Sequence, residues 1–457
     1  MSEVEDGQDK SWNAALALLV VAVLFGGGSQ QNALRLALVE LASLPVLLVS
    51  VYRLGRSGAW RMWVFPLGIL IAIAAVPLLQ LVPLPPELWR SLPGREDLVS
   101  ALRLAGVAQP WLPITLEPES TLQSAMALAP PAAMFLAVLC SNERQRLTLV
   151  SATLVLAVSS IVLGAAQVAG GQQSPLYLYE FAHRGLPIGW FSNRNHQAIF
   201  LLAALPMATL WVIDGRGEAR RRVPPALASV LFGLLIVGVI ATRSRAGLIL
   251  LGPAIAGSLA LGWNRNRFGV GGRTFAVMLG VILVAMLFAA QFLVINVLPR
   301  FDPQQSPEFR FEAWPQVSAV ASDYLPLGSG IGTFDPVYRS IEPLALLTPI
   351  EATPFNHAHN EYLEIWLETG WMGVAVLLAF GVWSVRASFG AWKAGGDETK
   401  SLQRASAIVI GLLLAHSVVD CPVRTEAMAT VFALACGLIA IHQRTVALVT
   451  TSDSKWS

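Results

Sequence analysis

The sequence predicts an all-α, polytopic membrane protein of about twelve transmembrane helices, with a large outer loop between helices 9 and 10. Of 457 residues, 55% are hydrophobic and only 13% charged, against roughly 25% charged in soluble domains. Mean hydropathy is +0.60. Apolar stretches of about 20 residues, the length that crosses a hydrocarbon core, recur along the whole chain. Lysine and arginine gather in alternate connecting segments, as cytoplasmic loops require. A net charge of +2 says nothing of a nucleic-acid partner, and without a long basic run none is expected.

The predicted spans run over residues 12–28, 33–52, 63–82, 124–140, 147–169, 196–213, 225–241, 246–262, 274–297, 363–385, 405–419 and 425–442. The first follows an acidic start (Glu3, Glu5, Asp6, Asp9), the wrong n-region for a cleaved signal, and is expected to be retained. With the N-terminus inside, YRLGRSGAWR, SNERQR, DGRGEARRR, WNRNRFGVGGR and RASFGAWKAGGDETKSLQR are all inner loops, and Lys10, Lys393, Lys400 and Lys455 fall inside. Both termini are expected in the cytoplasm. Trp12, Trp63, Trp211, Trp263 and Trp383 sit near span ends, as interfacial residues do. The three cysteines (Cys140, Cys421, Cys436) predict no disulfide.

This topology leaves outer segments at 83–123, 170–195 and 298–362, and short outer turns carrying TRSRAG (242–247) and DCPVRTE (420–426). Polar residues concentrate there: NRNH (193–196), the two arginines of TRSRAG, EFRFEAW (308–314), HAHNE (357–361) and Asp420. An arginine at the bilayer centre costs roughly 2.5–3.5 kcal/mol, so Arg243 and Arg245 must either snorkel to the headgroups or line a wet cavity. In the second case their planar forks suit phosphate oxygens. Pro315 argues against a long uninterrupted helix in the large loop. Gly328, Gly330 and Gly332 lack the strand-to-helix context of a dinucleotide loop and predict a tight turn.

Pro354 and the capping residue Asn356 predict a helix starting near His357. On that helix His359, Leu363, Trp366 and Leu367 share one face, and Glu361, Glu364 and Glu368 another. Gly370 and Gly373 would admit a neighbouring helix. A neutral histidine at the water boundary can act as a general base, or it can simply cap the helix. His357 and His359 make a poor metal pair, because i,i+2 spacing does not share a helical face and no third ligand is evident.

These motifs, in this order, resemble the bacterial O-antigen ligase and O-antigen polymerase superfamily: NRNHQA opening a span, S-R-A-G after another, R-x3-W in a large outer loop, then PLGSGIGTF and HNEYLEIWLETGWMG. The similar region covers about residues 190–375. The resemblance implies a GT-C-like glycosyltransferase, metal-independent, inverting and without a cofactor. It would take a glycan from an undecaprenyl diphosphate carrier at the periplasmic face of the bacterial inner membrane. The chain would then divide into N-terminal helices (1–190), a catalytic region (191–375) that includes loop 298–362, and C-terminal helices with a cytoplasmic tail (376–457).

The resemblance makes His359 the base and assigns the departing diphosphate to Arg245 and Arg310. Arg243, Asn193, Asn195, His196, His357, Asn360, Glu361 and Glu364 are candidates for substrate binding, with His357 ranked second as base. Implied partners are the undecaprenyl-diphosphate-linked oligosaccharide, a saccharide or lipid A-core acceptor, membrane lipids and a chain-length regulator.

Polymerisation of O-antigen or exopolysaccharide repeat units is the first reading of the activity, and ligation to lipid A-core the alternative. A transporter or flippase for an anionic lipid-linked solute is the reading from another class. It is disfavoured because the polar residues gather at one face and no internal repeat is evident.

Overall fold

The computed structural model describes residues 2–28, 33–214, 224–263, 309–342, 356–393 and 399–441. The first helices are α1 (Ser2–Phe25), α2 (Ala33–Ser57) and α3 (Val64–Gln80). The following segment folds as β1 (Pro83–Leu84), α4 (Pro86–Trp89), α5 (Glu96–Leu104) and β2 (Leu112–Pro113), with β1 antiparallel to β2. Then come α6 (Pro118–Met126), α7 (Ala129–Cys140), α8 (Glu143–Ala169), α9 (Arg194–Asp214), α10 (Pro225–Ala241) and α11 (Arg245–Trp263). The chain continues through α12 (Phe309–Asp323), α13 (Phe334–Ile341), α14 (Glu361–Lys393), α15 (Thr399–His416) and α16 (Glu426–Ala440).

Eleven of the twelve predicted spans fall on these helices; the span at 274–297 lies outside the described residues. Among the described residues, seven helices are long and apolar enough to cross a membrane, and Asn13–Phe25, Ala226–Ala241 and Glu426–Ala440 are shorter apolar helices. α9 lies at the centre, with 89% of its apolar window buried against 22–44% for the other six. It packs on α8, α10, α11 and α15. The less buried helices present leucine, isoleucine and valine outward, as lipid-facing surfaces do. Local chemistry sets the ends. Asn142 and Gln145 form a reciprocal capping box on α8, each side chain accepting the other's backbone N–H at 2.9 Å. All three cysteines are free.

Three local expectations are corrected. Residues 309–323 form a helix that runs through Pro315, and Pro315 forfeits only one backbone bond there. α14 begins at Glu361 rather than near His357. His359 takes a left-handed backbone (φ 49), which ends any helical path before it, and Asn360 Oδ1 accepts from Leu363 N at 3.1 Å as the cap. Finally, Gly370 admits a loop and not a helix. Its φ of 56 breaks α14, and a Cβ there would lie 2.2 Å from the Pro326 carbonyl oxygen. That oxygen accepts from Trp371 N at 2.9 Å instead.

Candidate functional site

The segment 356–360 is fixed before α14 begins. Ala358 N donates to Glu364 Oε1 at 2.8 Å, and the Ala358 carbonyl accepts from the Trp314 indole of α12 at 2.8 Å. Glu361 N donates to the Ser417 carbonyl at 2.9 Å, tying the start of α14 to the end of α15. The two histidines therefore leave one short clamped segment towards different carboxylates. His357 Nδ1 lies 3.1 Å from Glu364 Oε2, and His359 Nδ1 lies 2.8 Å from Asp420 Oδ1.

The His359 contact is one end of a chain of hydrogen bonds. Asp420, 2% exposed, also accepts from Cys421 N at 3.0 Å through Oδ1 and from Asn195 Nδ2 at 2.7 Å through Oδ2. Asn195 Oδ1 accepts from the Ser244 hydroxyl at 2.8 Å. Ser244 Oγ in turn accepts from Gly247 N at 3.1 Å and so caps α11. Four stretches far apart in sequence thus meet: NRNH, TRSRAG, HAHNE and DCPVRTE. An ionised carboxylate only accepts hydrogen bonds, so Asp420 places the His359 proton on Nδ1. His359 keeps 21% of its side-chain surface exposed.

The turn that Ser244 anchors carries Arg243, with a left-handed backbone (φ 56), and Arg245, the first residue of α11. Asn193 Oδ1 accepts from Asn195 N at 2.9 Å and shapes the start of α9. His196 is buried on the same turn, and its Nδ1 has no hydrogen-bond partner among the described residues. Arg310 lies in the first turn of α12, one turn before Trp314; its side chain is outside the described residues.

A second cluster adjoins the first. Glu361, Glu364 and Glu368 share one face of α14, as the helical period dictates. All three converge on Arg424 of the 3-10 turn Pro422–Arg424. Arg424 Nε lies 3.0 Å from Glu361 Oε1, Nη1 3.1 Å from Glu364 Oε2 and Nη2 2.9 Å from Glu368 Oε2. The planar guanidinium presents a separate donor to each carboxylate. Burial acts to lower the Arg424 pKa, but the charges of Glu361, Glu364 and Glu368 outweigh it and hold the group well above its ordinary value. Burial likewise acts to lower the His357 pKa, and the charge and hydrogen bond of Glu364 more than offset it, so the ring stands above its ordinary value. The Cys421 thiol, whose Sγ lies 3.2 Å from Glu364 Oε1, is pushed well up, by burial first and then by the surrounding carboxylates.

The glycine-rich loop braces this cluster. Glu368 Oε1 accepts from Gly332 N at 3.1 Å and Phe334 N at 3.3 Å, and its carbonyl accepts from Gly330 N at 2.9 Å and Gln80 Nε2 at 2.8 Å. Gly328, Gly330 and Gly332 all have positive φ, and a Cβ at Gly330 would lie 2.0 Å from Thr115 Oγ1. The expected tight turn is present. Among the described residues, no group of three His, Cys, Asp or Glu side chains is arranged to hold a metal ion.

Sequence reasoning made Glu361 and Glu364 substrate-binding candidates but named no role for Arg424, Asp420, Glu368 or Ser244. The usable signal was the turn DCPVRTE itself, which sets an acid and an arginine between two apolar helices.

Residues 230–378 match the family model described as O-antigen ligase. No curated protein matches the chain.

Proposed function

From the match that sets residues 230–378 in the O-antigen ligase and polymerase superfamily, we propose that the His359–Asp420 pair is the general-base unit of a glycosyl transfer. The single observation that carries this reading is the 2.8 Å contact between His359 Nδ1 and Asp420 Oδ1, at the end of a network that reaches the arginine-bearing turn.

The donor is a glycan on undecaprenyl diphosphate, bound at the periplasmic face of the inner membrane with both termini of the protein in the cytoplasm. An acceptor hydroxyl gives its proton to His359 Nε2 as its oxygen bonds to the anomeric carbon. The bond from that carbon to the phosphate oxygen breaks, and the diphosphate leaves with the electron pair. Configuration inverts in a single displacement. Arg245 and Arg310, with Arg243 beside them, meet the charge that develops on the diphosphate, the strongest kind of stabilisation a fixed site offers. In this scheme no metal is called on. Asn195 is a positioning residue, because it holds Asp420 in line with the imidazole. Glu364 plays the same part for His357, which ranks second as base because its carboxylate is already engaged by Arg424, Ala358 and Cys421.

The acceptor is a saccharide, and repeat-unit polymerisation is the first reading. The family description supports the second, ligation of finished glycan to lipid A-core. The deciding experiment supplies purified protein in vesicles with an undecaprenyl-diphosphate oligosaccharide. Transfer by wild type and its loss in His359→Ala is the expected result, whereas solute flux without transfer would establish the transporter instead. In cells, loss of a polymerase leaves single repeat units, and loss of a ligase leaves long chains on the carrier.

A further inference from the structure

Between α3 and α6 the chain presents apolar side chains that no other described residue covers. Leu104 is 89% and Trp111 65% exposed, and Leu88 and Val107 are each more than half exposed. α5 buries none of its residues. The segment nevertheless has a fixed shape. Trp89 is buried and its indole donates to the Pro110 carbonyl at 2.9 Å, which sets the neighbouring Leu88 and Trp111 on adjoining stretches. Arg95, also buried, donates to the Ile114 carbonyl and anchors the start of α5. A Cβ at Gly94 would lie 2.5 Å from the Tyr324 ring, so this end of α5 rests against the chain that follows α12.

The backbone sets the height of this surface. The apolar span Ala59–Gln80 ends with α3, where Leu78, Leu79 and Val82 are exposed as lipid-facing residues are. β1 starts at the next residue, and its pairing with β2 puts Leu84 opposite Leu112. Trp111 therefore falls beside Pro85, three residues past Val82, which is at most about 10 Å of chain. Leu88 is tied to the same place, its N–H donating to the Pro85 carbonyl at 2.9 Å. The headgroup layer of one leaflet is about 5–7 Å deep, so both side chains are within reach of it. Tryptophan is enriched in that layer. Charge follows the same direction. Glu96 and Asp97 occupy the first turn of α5, and Arg103 the last, beside Leu104. The apolar end of the helix is thus its basic end, the combination that suits anionic headgroups.

We propose that residues 83–113 form a foot seated at the headgroup–acyl boundary of the leaflet in which α3 ends, with Leu88, Leu104, Val107 and Trp111 among the lipids. An exposed apolar patch marks contact with a membrane or with a protein. Continuity with the lipid-facing end of α3 selects the membrane. The foot also holds the glycine-rich loop. Leu116 N donates to the Ser329 carbonyl at 2.8 Å, and the Thr121 hydroxyl to the Ile331 carbonyl at 2.7 Å. Gln80, at the end of α3, accepts from Thr115 N through its carbonyl and from Ile331 N through Oε1, both at 3.0 Å. The seat thereby sets the height of that loop, and of the Glu368 bonded to it, relative to the bilayer. None of this rests on His359 being a base.

The test uses the full-length protein in vesicles of phosphatidylethanolamine and phosphatidylglycerol. An environment-sensitive nitrobenzoxadiazole dye is placed on one introduced cysteine, Leu104→Cys, Trp111→Cys or Asp97→Cys. All three positions are exposed, and wild type treated alike gives the background from Cys140, the cysteine that is not fully buried. Dye at positions 104 and 111 should lose most of its emission to doxyl-labelled lipid and little to iodide in the water, and dye at 97 the reverse. Iodide quenching at 104 or 111 would put the segment in water. Shielding there from both quenchers would put a protein over it, a second copy or another partner. Either result overturns the proposal. The hold on the loop is read by hydrogen exchange in the same vesicles. Trp111→Asp drives a charge out of the interface and should speed exchange across residues 326–334, whereas unchanged exchange would refute the hold.

Discussion

Asp420 Oδ1 stands 2.8 Å from His359 Nδ1, although the two residues are 61 positions apart and lie on opposite sides of α14 and α15 in the chain. This contact fixes the ring's tautomer and direction. General-base catalysis contributes about 10²–10⁴-fold, so His359→Ala should lower the transfer rate by that order with little change in donor binding. Asp420→Asn should lower kcat more than it changes KM. Transfer assays on purified variants check both, and unaltered rates would remove His359 from the chemistry.

Asn195 links Asp420 to Ser244, and its loss should act through both. Asn195→Ala leaves Asp420 Oδ2 buried without its side-chain donor, a cost of about 1–3 kcal/mol. Thermal unfolding in detergent should show that loss, and transfer should fall further than a stability change alone explains. Asn195→Asp, which sets a second carboxylate against Asp420, should be worse than Asn195→Ala on both measures.

Arg424 holds three acidic groups of one helix face. Removing one partner from a buried ionic cluster costs about 3–5 kcal/mol, so Arg424→Ala should sharply lower folded yield and melting temperature. Arg424→Lys keeps the charge but not the fork and should recover part of the loss. Glu361→Gln should be the mildest change in the cluster, because Glu361 meets the arginine through Oε1, whereas Glu364 meets Arg424, Ala358 N and the Cys421 thiol.

The His357–Glu364 pair should make stability depend on pH. His357 is held above its ordinary value of about 6.5 in the folded protein. Its contribution is therefore complete below that ordinary value and is lost as pH rises through the higher folded one. Melting temperature measured between pH 5.5 and pH 9 should fall on the alkaline side in wild type, and the fall should be smaller in His357→Gln.

Gly330 and Gly370 should not tolerate a methyl group. Added Cβ atoms would lie 2.0 Å from Thr115 Oγ1 and 2.2 Å from the Pro326 carbonyl oxygen, respectively. Overpacking costs about 1–3 kcal/mol, with a further penalty for positive φ. Gly330→Ala and Gly370→Ala should therefore lower melting temperature, whereas Gly411→Ala, with nothing within 4 Å among the described residues, should not.

Among the described residues, hydropathy located the long apolar helices, because a span must be apolar for its whole length wherever it packs. The grouping of Glu361, Glu364 and Glu368 was legible for a similar reason, since one helix's own period puts them together. Arg424 was not, because its partners lie 56 to 63 residues away and only the folding of α14 against the 420–425 turn brings them into reach. The start of α14 was misplaced because Asn356 and Asn360 both suit a cap. The clamp on Ala358 by Glu364 and Trp314, a tertiary contact, decides between them. The family motifs pointed to His359. Its partner Asp420 stood out as an acid in a short turn between apolar helices, but nothing in the sequence of that turn says which side chain it meets.

The interruption of α14 at Gly370 has a mechanical consequence. The nine residues that carry the glutamates are pinned to the Pro326–Gly332 loop, while the long stretch beyond the interruption buries Trp383, Ala387 and Ala391 against its neighbours and turns Leu378, Val382, Val385 and Phe389 outward. Thicker or thinner bilayers should therefore tilt the lower stretch and leave the upper one in register. Turnover measured across acyl-chain lengths should vary less in wild type than in a variant whose loop no longer grips Trp371.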